Sequence, residues 1–257
     1  MKKVIIIFVL ICSMVTVGTL NTFAENKESW YLKRKGQGEP PDFPSSYGAV
    51  KENGGFAYDE NAWKNQERVI YLTFDAGYEN GNIEKILDIL RDNEVSASFF
   101  ILSNLINKNT DLVKRMASEG HQLCNHTKNH KDMTTLTNEE MRANLKTLEE
   151  LCLEKTGCEI TPYFRFPEGT YNKEKLELCK SLGYKTVFWS VTHADWDNNR
   201  QPCPEKSYNL LTSYVHPGAI ILLHPTSETN VQILPRLIKT WKEMGYRFAT
   251  VEKIESL

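Results

Sequence analysis

The chain has no excess of positive charge: 31 Lys and Arg stand against 33 Asp and Glu, a formal net charge of −2. The basic field that marks a nucleic-acid partner is therefore excluded. Cysteine is also scarce. Six in 257 residues, with no CxxC pair, are too few for a disulfide scaffold and wrongly spaced for a zinc cluster. Gly and Pro number only 14 and 10, which excludes a collagenous or low-complexity chain. No uninterrupted apolar run reaches the roughly 20 residues that span a bilayer. What is present is an ordinary globular composition, 40% hydrophobic and 25% charged, at a length that fits one large α/β domain or two smaller ones.

Residues 1–24 read as a secretory signal peptide: Lys2 and Lys3, an apolar run over 4–17, then Thr22-Phe23-Ala24. Cleavage is expected after Ala24 and the protein is expected to be exported, with membrane contact only through this segment where it is retained. Ile11, ahead of Cys12, is not the small residue of a lipoprotein site. Removing the segment takes away two lysines and no acid, leaving a net charge of −4 over 233 residues and five cysteines. Five is odd, so at least one has no intramolecular partner; they are read as mostly small buried side chains.

Residues 25–66 are polar and gather Gly36, Gly38, Pro40, Pro41 and Pro44, the mark of an extended arm laid on a domain. Residues 67–257 then alternate β-branched or aromatic runs with helical periodicity. Strands are predicted over 69–74, 95–102, 121–125, 163–166, 184–191, 219–223 and 246–251. Between them Ile83, Ile86, Leu87 and Leu90 repeat on one helical face, Thr137 and Glu140 form a capping box, and Gly120, Gly157 and Gly183 sit where helices stop. This alternation specifies an α/β fold with a parallel sheet, open or closed. Seven strands, one short of eight, favour a distorted, incomplete (β/α)7 barrel.

In such folds chemistry gathers beyond the carboxyl ends of the strands. On the predicted map Asp75 follows the first strand, His126 and His130 the third, and Asp195 the fifth. Arg165 lies in the fourth strand, and His224 ends the sixth. All six converge on one rim. Taken singly, each has a plainer explanation: Asp75 as a helix cap, Arg165 in a surface turn, His224 as a satisfied core histidine, the paired histidines as unrelated surface groups. Together they form a site. Two imidazoles at i and i+4 share one face of a helical turn and can bind one divalent ion. Arg165 enters a rigid turn, Phe166-Pro167-Glu168-Gly169, suited to pairing with a carboxylate and presenting a backbone N–H. Asp195-Trp196 offers a carboxylate to orient an imidazole and an aromatic wall for a sugar.

In order and spacing these segments resemble the five motifs of the family 4 carbohydrate esterases, the NodB-like polysaccharide deacetylases, from about Val69 to the C-terminus. The continuation Tyr78-Glu79-Asn80-Gly81, with the arm, looks most like the branch that deacetylates N-acetylmuramic acid of the spore cortex on the way to muramic δ-lactam. The resemblance implies a divalent metal, zinc, held by His126 and His130, with Asp75 as catalytic base steadied by Arg165. It implies His224 as catalytic acid aimed by Asp195, the Glu168 N–H on the oxyanion, and Leu223 and Trp196 lining the pocket for the acetyl methyl. The implied partner is the glycan strand of peptidoglycan, met by a monomer outside the cytoplasm in the cell wall or cortex space.

Two departures stand out. The family carries a second aspartate after the base as metal ligand; here that position is Ala76, which has no donor atom, so the metal should be held more weakly. The muramic-specific branch also lacks that aspartate. Thr192 stands where many members carry another Asp. Three readings follow: an N-acetylmuramic acid or N-acetylglucosamine deacetylase, a glycan-binding homologue without turnover, and a glycosidase using Asp75 and Asp195 as paired carboxylates.

Overall fold

A computed structural model describes residues 27–254. The expected signal segment, 1–24, lies outside them. The described chain runs β1 (Glu28–Ser29), α1 (Tyr47–Glu52), α2 (Glu60–Lys64), β2 (Val69–Ala76), α3 (Ile83–Asp92), β3 (Ser98–Ile101), α4 (Ser103–Lys108) and α5 (Thr110–Ser118). It continues through β4 (Gln122–Asn125), α6 (Asn138–Thr156), β5 (Thr161–Phe164), β6 (Thr170–Tyr171), α7 (Lys173–Ser181), β7 (Lys185–Thr186) and β8 (Val191–Thr192). The last elements are α8 (Pro204–Tyr214), β9 (Ala219–Leu223), α9 (Glu228–Glu243) and β10 (Arg247–Ala249).

β2 is the axis of a parallel sheet. β9 lies along one of its edges, while the other edge is shared, β10 pairing with residues 69–71 and β3 with 73–76. Beyond β3 come β4, β5 and β7; beyond β9 comes β8. Strands buried on both faces read as unbroken apolar runs, and β9, Ala219-Ile220-Ile221-Leu222-Leu223, is buried throughout. Helices pack their apolar stripes on the outside. Ile83, Ile86, Leu87 and Leu90 of α3 are all fully buried, each worth roughly 1.5–3 kcal/mol of transfer free energy. Thr137 and Glu140 close the capping box at the start of α6, and Gly157 ends that helix at φ 75°, a conformation costly for a residue with a Cβ.

The incomplete barrel is present, but the predicted strand over 184–191 is not one strand. Its first part is β7, paired with β5 at one edge of the sheet; its last residue, Val191, opens β8, paired with β9 at the other. The turn-over between them spans the seam. Residue 56 of the arm is wedged there: the Phe56 N–H donates to the Thr186 carbonyl at 2.9 Å, and the Phe188 N–H donates to the Phe56 carbonyl at 2.8 Å. The pairing partner that would hold 184–191 in one register is thus replaced by the arm. Nor is the arm merely extended. It carries β1, α1 and α2, pairs β1 with β6, and sends Trp30 onto Phe188 with ring centroids 4.3 Å apart. The five cysteines are free, Cys124, Cys152 and Cys179 buried, Cys158 half-buried and Cys203 exposed. No described helix is long and apolar enough to cross a membrane.

Candidate active site

β2 delivers Thr73 and Asp75 to the carboxyl rim, and Arg165 directly follows β5. The guanidinium is completely buried. It donates to Asp75 Oδ1 at 2.7 Å, to Thr73 Oγ1 at 3.0 Å and to the Val187 carbonyl at 3.0 Å, and lies 4.0 Å above the Phe100 ring. Burial, the largest single influence, would raise the Asp75 pKa; the Arg165 charge and hydrogen bond, together with the imidazoles nearby, outweigh it and hold the carboxyl below its ordinary range.

His126 follows β4. Its Nδ1 meets the Arg165 carbonyl at 2.9 Å; a carbonyl only accepts, so Nδ1 carries the proton and Nε2 is bare. Burial pushes the imidazole pKa down to about 4, keeping it neutral. The expected helical turn to His130 is absent. Thr127 and His130 instead adopt left-handed φ of 77° and 55°, strained for non-glycine residues by about 1–3 kcal/mol each. Side chains supply the compensation: Asn125 Oδ1 accepts the Thr127 N–H at 2.9 Å, Thr127 Oγ1 accepts the His130 N–H at 2.9 Å, and Asn144 Oδ1 accepts the Lys128 N–H at 2.7 Å. The loop still brings the two imidazoles together, ring centroids 5.0 Å apart.

Opposite them, β9 ends at His224. Its Nδ1–H donates to Asp195 Oδ1 at 2.8 Å and its backbone N–H to Asp195 Oδ2 at 2.7 Å. Asn230 Nδ2 adds a third bond to Oδ2 at 2.6 Å. Burial works against a charged imidazole, but the Asp195 charge and hydrogen bond outweigh it and raise the His224 pKa. Asp195 is likewise held ionised, its own burial outweighed by His224. Because Asp195 is fully buried with both oxygens engaged, it cannot meet a sugar, and the paired-carboxylate glycosidase reading is excluded.

A cavity of about 710 Å³ joins these groups, lined by Asp75, His126, His130, Glu168, Trp196 and His224 among others. Tyr78 and Trp196 stand at it largely exposed, 62% and 65%. The expectation for Leu223 is corrected: it is buried in the core cluster, and Leu222 lines the cavity instead. Successive strand residues point to opposite faces, so a shift of one exchanges core for cavity. Glu168 sits at φ 56°, and Thr192 also lines the cavity. Sequence reasoning missed Leu222, Thr73, His193 and Asn230. His193 stands only two residues from Asp195, and Asn230 lies in the first turn of α9, where an Asn gives no catalytic signal. A second cavity, of about 420 Å³, lies against the arm and contains none of these groups.

Among the described residues no cluster of three or more His, Cys, Asp or Glu side chains could hold a metal ion. The donor chemistry still suits a cation. Bare His126 Nε2 faces Asp75 Oδ2 at 3.5 Å, acceptor against acceptor, with the His130 ring alongside. Ala76, fully buried at the end of β2, adds nothing to the set.

Residues 63–187 match the family model described as polysaccharide deacetylase. The chain is 36% identical over 226 residues, 88% of its own length and 85% of the relative's, to peptidoglycan-N-acetylmuramic acid deacetylase PdaA of Bacillus subtilis. The chain belongs to carbohydrate esterase family 4, the polysaccharide deacetylases. This family 4 esterase superposes on the solved structure of Bacillus subtilis PdaA with a TM-score of 0.83 at 35% identity, covering 89% of this chain and 96% of that one. It is 32% identical over 195 residues, 74% of this chain and 89% of the relative, to a peptidoglycan-N-acetylglucosamine deacetylase of Bacillus cereus. A family 4 pseudoenzyme from Bacillus anthracis matches with a TM-score of 0.65 at 25% identity, over 73% of this chain and 65% of that one. As a family 4 esterase the chain is a hydrolase of N-acetyl amide bonds.

Proposed function

We propose that the protein is an exported enzyme that removes the acetyl group from N-acetylmuramic acid of peptidoglycan, the step that precedes muramic δ-lactam in spore cortex. The observation that carries this reading is the pairing of opposites across one cavity: an ionised Asp75 beside Arg165 on one side, a His224 whose hold on a proton Asp195 strengthens on the other. Proton affinities pushed in opposite directions assign base and acid. Likeness to PdaA over most of both chains supports the muramic sugar.

Asp75 is the base: its Oδ2, not held by Arg165, takes a proton from the water that attacks the acetyl carbonyl carbon. Arg165 keeps that carboxylate ionised and still. The Glu168 N–H, at the left-handed turn after Arg165, donates to the oxygen as it becomes negative. Collapse breaks the carbon–nitrogen bond, and His224 Nε2–H protonates the departing amine. Trp196 and Leu222 shape the space for the methyl and the sugar face. His126 and His130 would hold a divalent cation, zinc by donor type, which when bound polarises the acetyl oxygen and acidifies the water. Acetate and a free amino sugar leave.

The test is acetate release from peptidoglycan glycan strands freed of stem peptides, with mass spectrometry of the digested strands to identify the sugar that lost its acetyl and any ring formed. Acetate lost from N-acetylglucosamine alone would move the assignment to that sugar. The loss of a protein donor at Ala76 favours one second reading, a glycan-binding homologue without turnover. No acetate at any added divalent metal, with retained glycan binding, would establish it.

A further inference from the structure

Behind the Asp195–His224 pair lies a second layer of polar side chains cut off from solvent. Asn230 and Ser207 are buried, as is His193. Asn230 Nδ2 donates to Asp195 Oδ2 at 2.6 Å and to the His224 carbonyl at 2.9 Å. Both partners are pure acceptors, so the amide has only one possible orientation, with Oδ1 turned away. That oxygen meets His193 Nε2 at 2.9 Å. An amide oxygen cannot donate, so His193 Nε2 carries a proton. Its Nδ1 meets Ser207 Oγ at 3.0 Å. The same Nε2 lies 3.5 Å from Asp195 Oδ2. Every bond from His193 through Asn230 to Asp195, and from His224 to Asp195, therefore has a fixed donor direction, and each points toward the carboxylate.

The elements involved are independent of one another. His193 follows β8, Ser207 lies in α8, Asn230 in α9, and His224 follows β9. A network assembled from four elements, with no member in the cavity except His224, costs desolvation at every buried polar atom. Helix packing alone would be served as well by apolar side chains. The charged or titratable groups that bear on His224 are Asp195, Asp75 and Arg165, and of these only Asp195 is held by the second layer.

We propose that Asn230 and His193 are positioning residues for this reaction: they lock the Asp195 carboxylate so that Oδ1 stays on His224 Nδ1–H and the proton stays on His224. The inference rests on reading His224 as the acid, but its test does not depend on turnover. The full chain, labelled with nitrogen-15 at histidine, is titrated by NMR while acetate release is followed on glycan strands. His193→Phe removes the donor at similar size; His193→Gln can still donate to Asn230; Ser207→Ala is the mild variant that keeps the test alive if His193→Phe does not fold. The His224 midpoint is expected to fall by about one pH unit in His193→Phe, the equivalent of one tenfold change in proton affinity. In Ser207→Ala it falls less, in the same direction. In His193→Phe, kcat is expected to drop about 10- to 100-fold, as when the outer partner of a functional imidazole is lost, with KM unchanged. His193→Gln is expected to stay within about threefold of the native kcat. A His224 midpoint that stays put or rises in His193→Phe and Ser207→Ala would overturn the proposal even if activity fell, since packing damage alone admits water and relieves the burial that lowers the midpoint. If the native protein releases no acetate, the deacetylase reading fails while the midpoints still decide the positioning role.

Discussion

Arg165→Met keeps the bulk of a buried side chain and removes its charge. The Asp75 carboxylate, the Thr73 hydroxyl and the Val187 and Phe188 carbonyls then each lose an Arg165 donor. Breaking a buried ion pair from one side costs about 3–5 kcal/mol. His224 remains as a compensating charge near Asp75, which places the expectation at the lower end, about 3 kcal/mol, or roughly 6–12 °C in Tm for a chain of this size. The pH dependence carries the diagnosis. In the native protein the folded Asp75 pKa lies below its unfolded value, so its contribution is present at neutral pH and is lost as pH falls through the folded pKa. Without Arg165, burial dominates and the folded pKa rises above the unfolded one. The penalty is then full at neutral pH and is relieved as pH falls through that raised value. Urea unfolding followed by tryptophan fluorescence at pH 7.5 and pH 5 is expected to show a deficit that shrinks on acidification. Asp75→Asn with Arg165→Met is expected to recover at least half of it, because no buried charge is left unpaired. A deficit that is the same at both pH values, or a double variant no more stable than Arg165→Met, would refute the reasoning.

Asp195→Asn removes what outweighs burial at His224, so the acid form should be lost at lower pH: the basic limb of acetate release moves down the pH scale and kcat falls about 10²- to 10⁴-fold, the usual range for a lost proton donor. A strong chelator is expected to suppress acetate release and added zinc to restore it, while His126→Ala weakens zinc binding about 10-fold or more by calorimetry. Trp196→Ala removes an exposed face at the cavity, and KM for glycan strands is expected to rise about 5- to 10-fold, matching roughly 1–1.5 kcal/mol of aromatic contact, with kcat little changed.

What the sequence disclosed depended on whether a residue's role is local. The apolar run ending at His224 and the capping box at Thr137 are written in neighbouring residues, and the structure keeps both. The rim carrying Asp75, Arg165, Asp195 and His224 followed from strand order alone. Three features resisted for physical reasons. The spacing of His126 and His130 is shared by a helical turn and by a left-handed loop, and the choice is made by Asn125 and Asn144, the latter 16 residues from Lys128. The break in 184–191 is imposed by Phe56, more than a hundred residues earlier. Leu222 and Leu223 are chemically identical, so only the pleat decides which one meets the cavity. His193 and Asn230 carry no signal until the fold brings them behind Asp195.

The wedge at the seam has a consequence for the order of assembly. Asp195 follows β8 by three residues, and β8 reaches its place only where the chain crosses from one sheet edge to the other, over the wedged Phe56. Contacts so distant along the chain must meet a loop-closure cost before they are rewarded, and are expected to form after the local ones. The carboxylate that supports His224 as an acid is therefore expected to be set in place after β2, β3 and β4 have presented Asp75 and His126. A chain begun at residue 63, where the family match starts, would keep every catalytic side chain yet lack the piece that brings the acid half to the base half. It is expected to bind metal without releasing acetate.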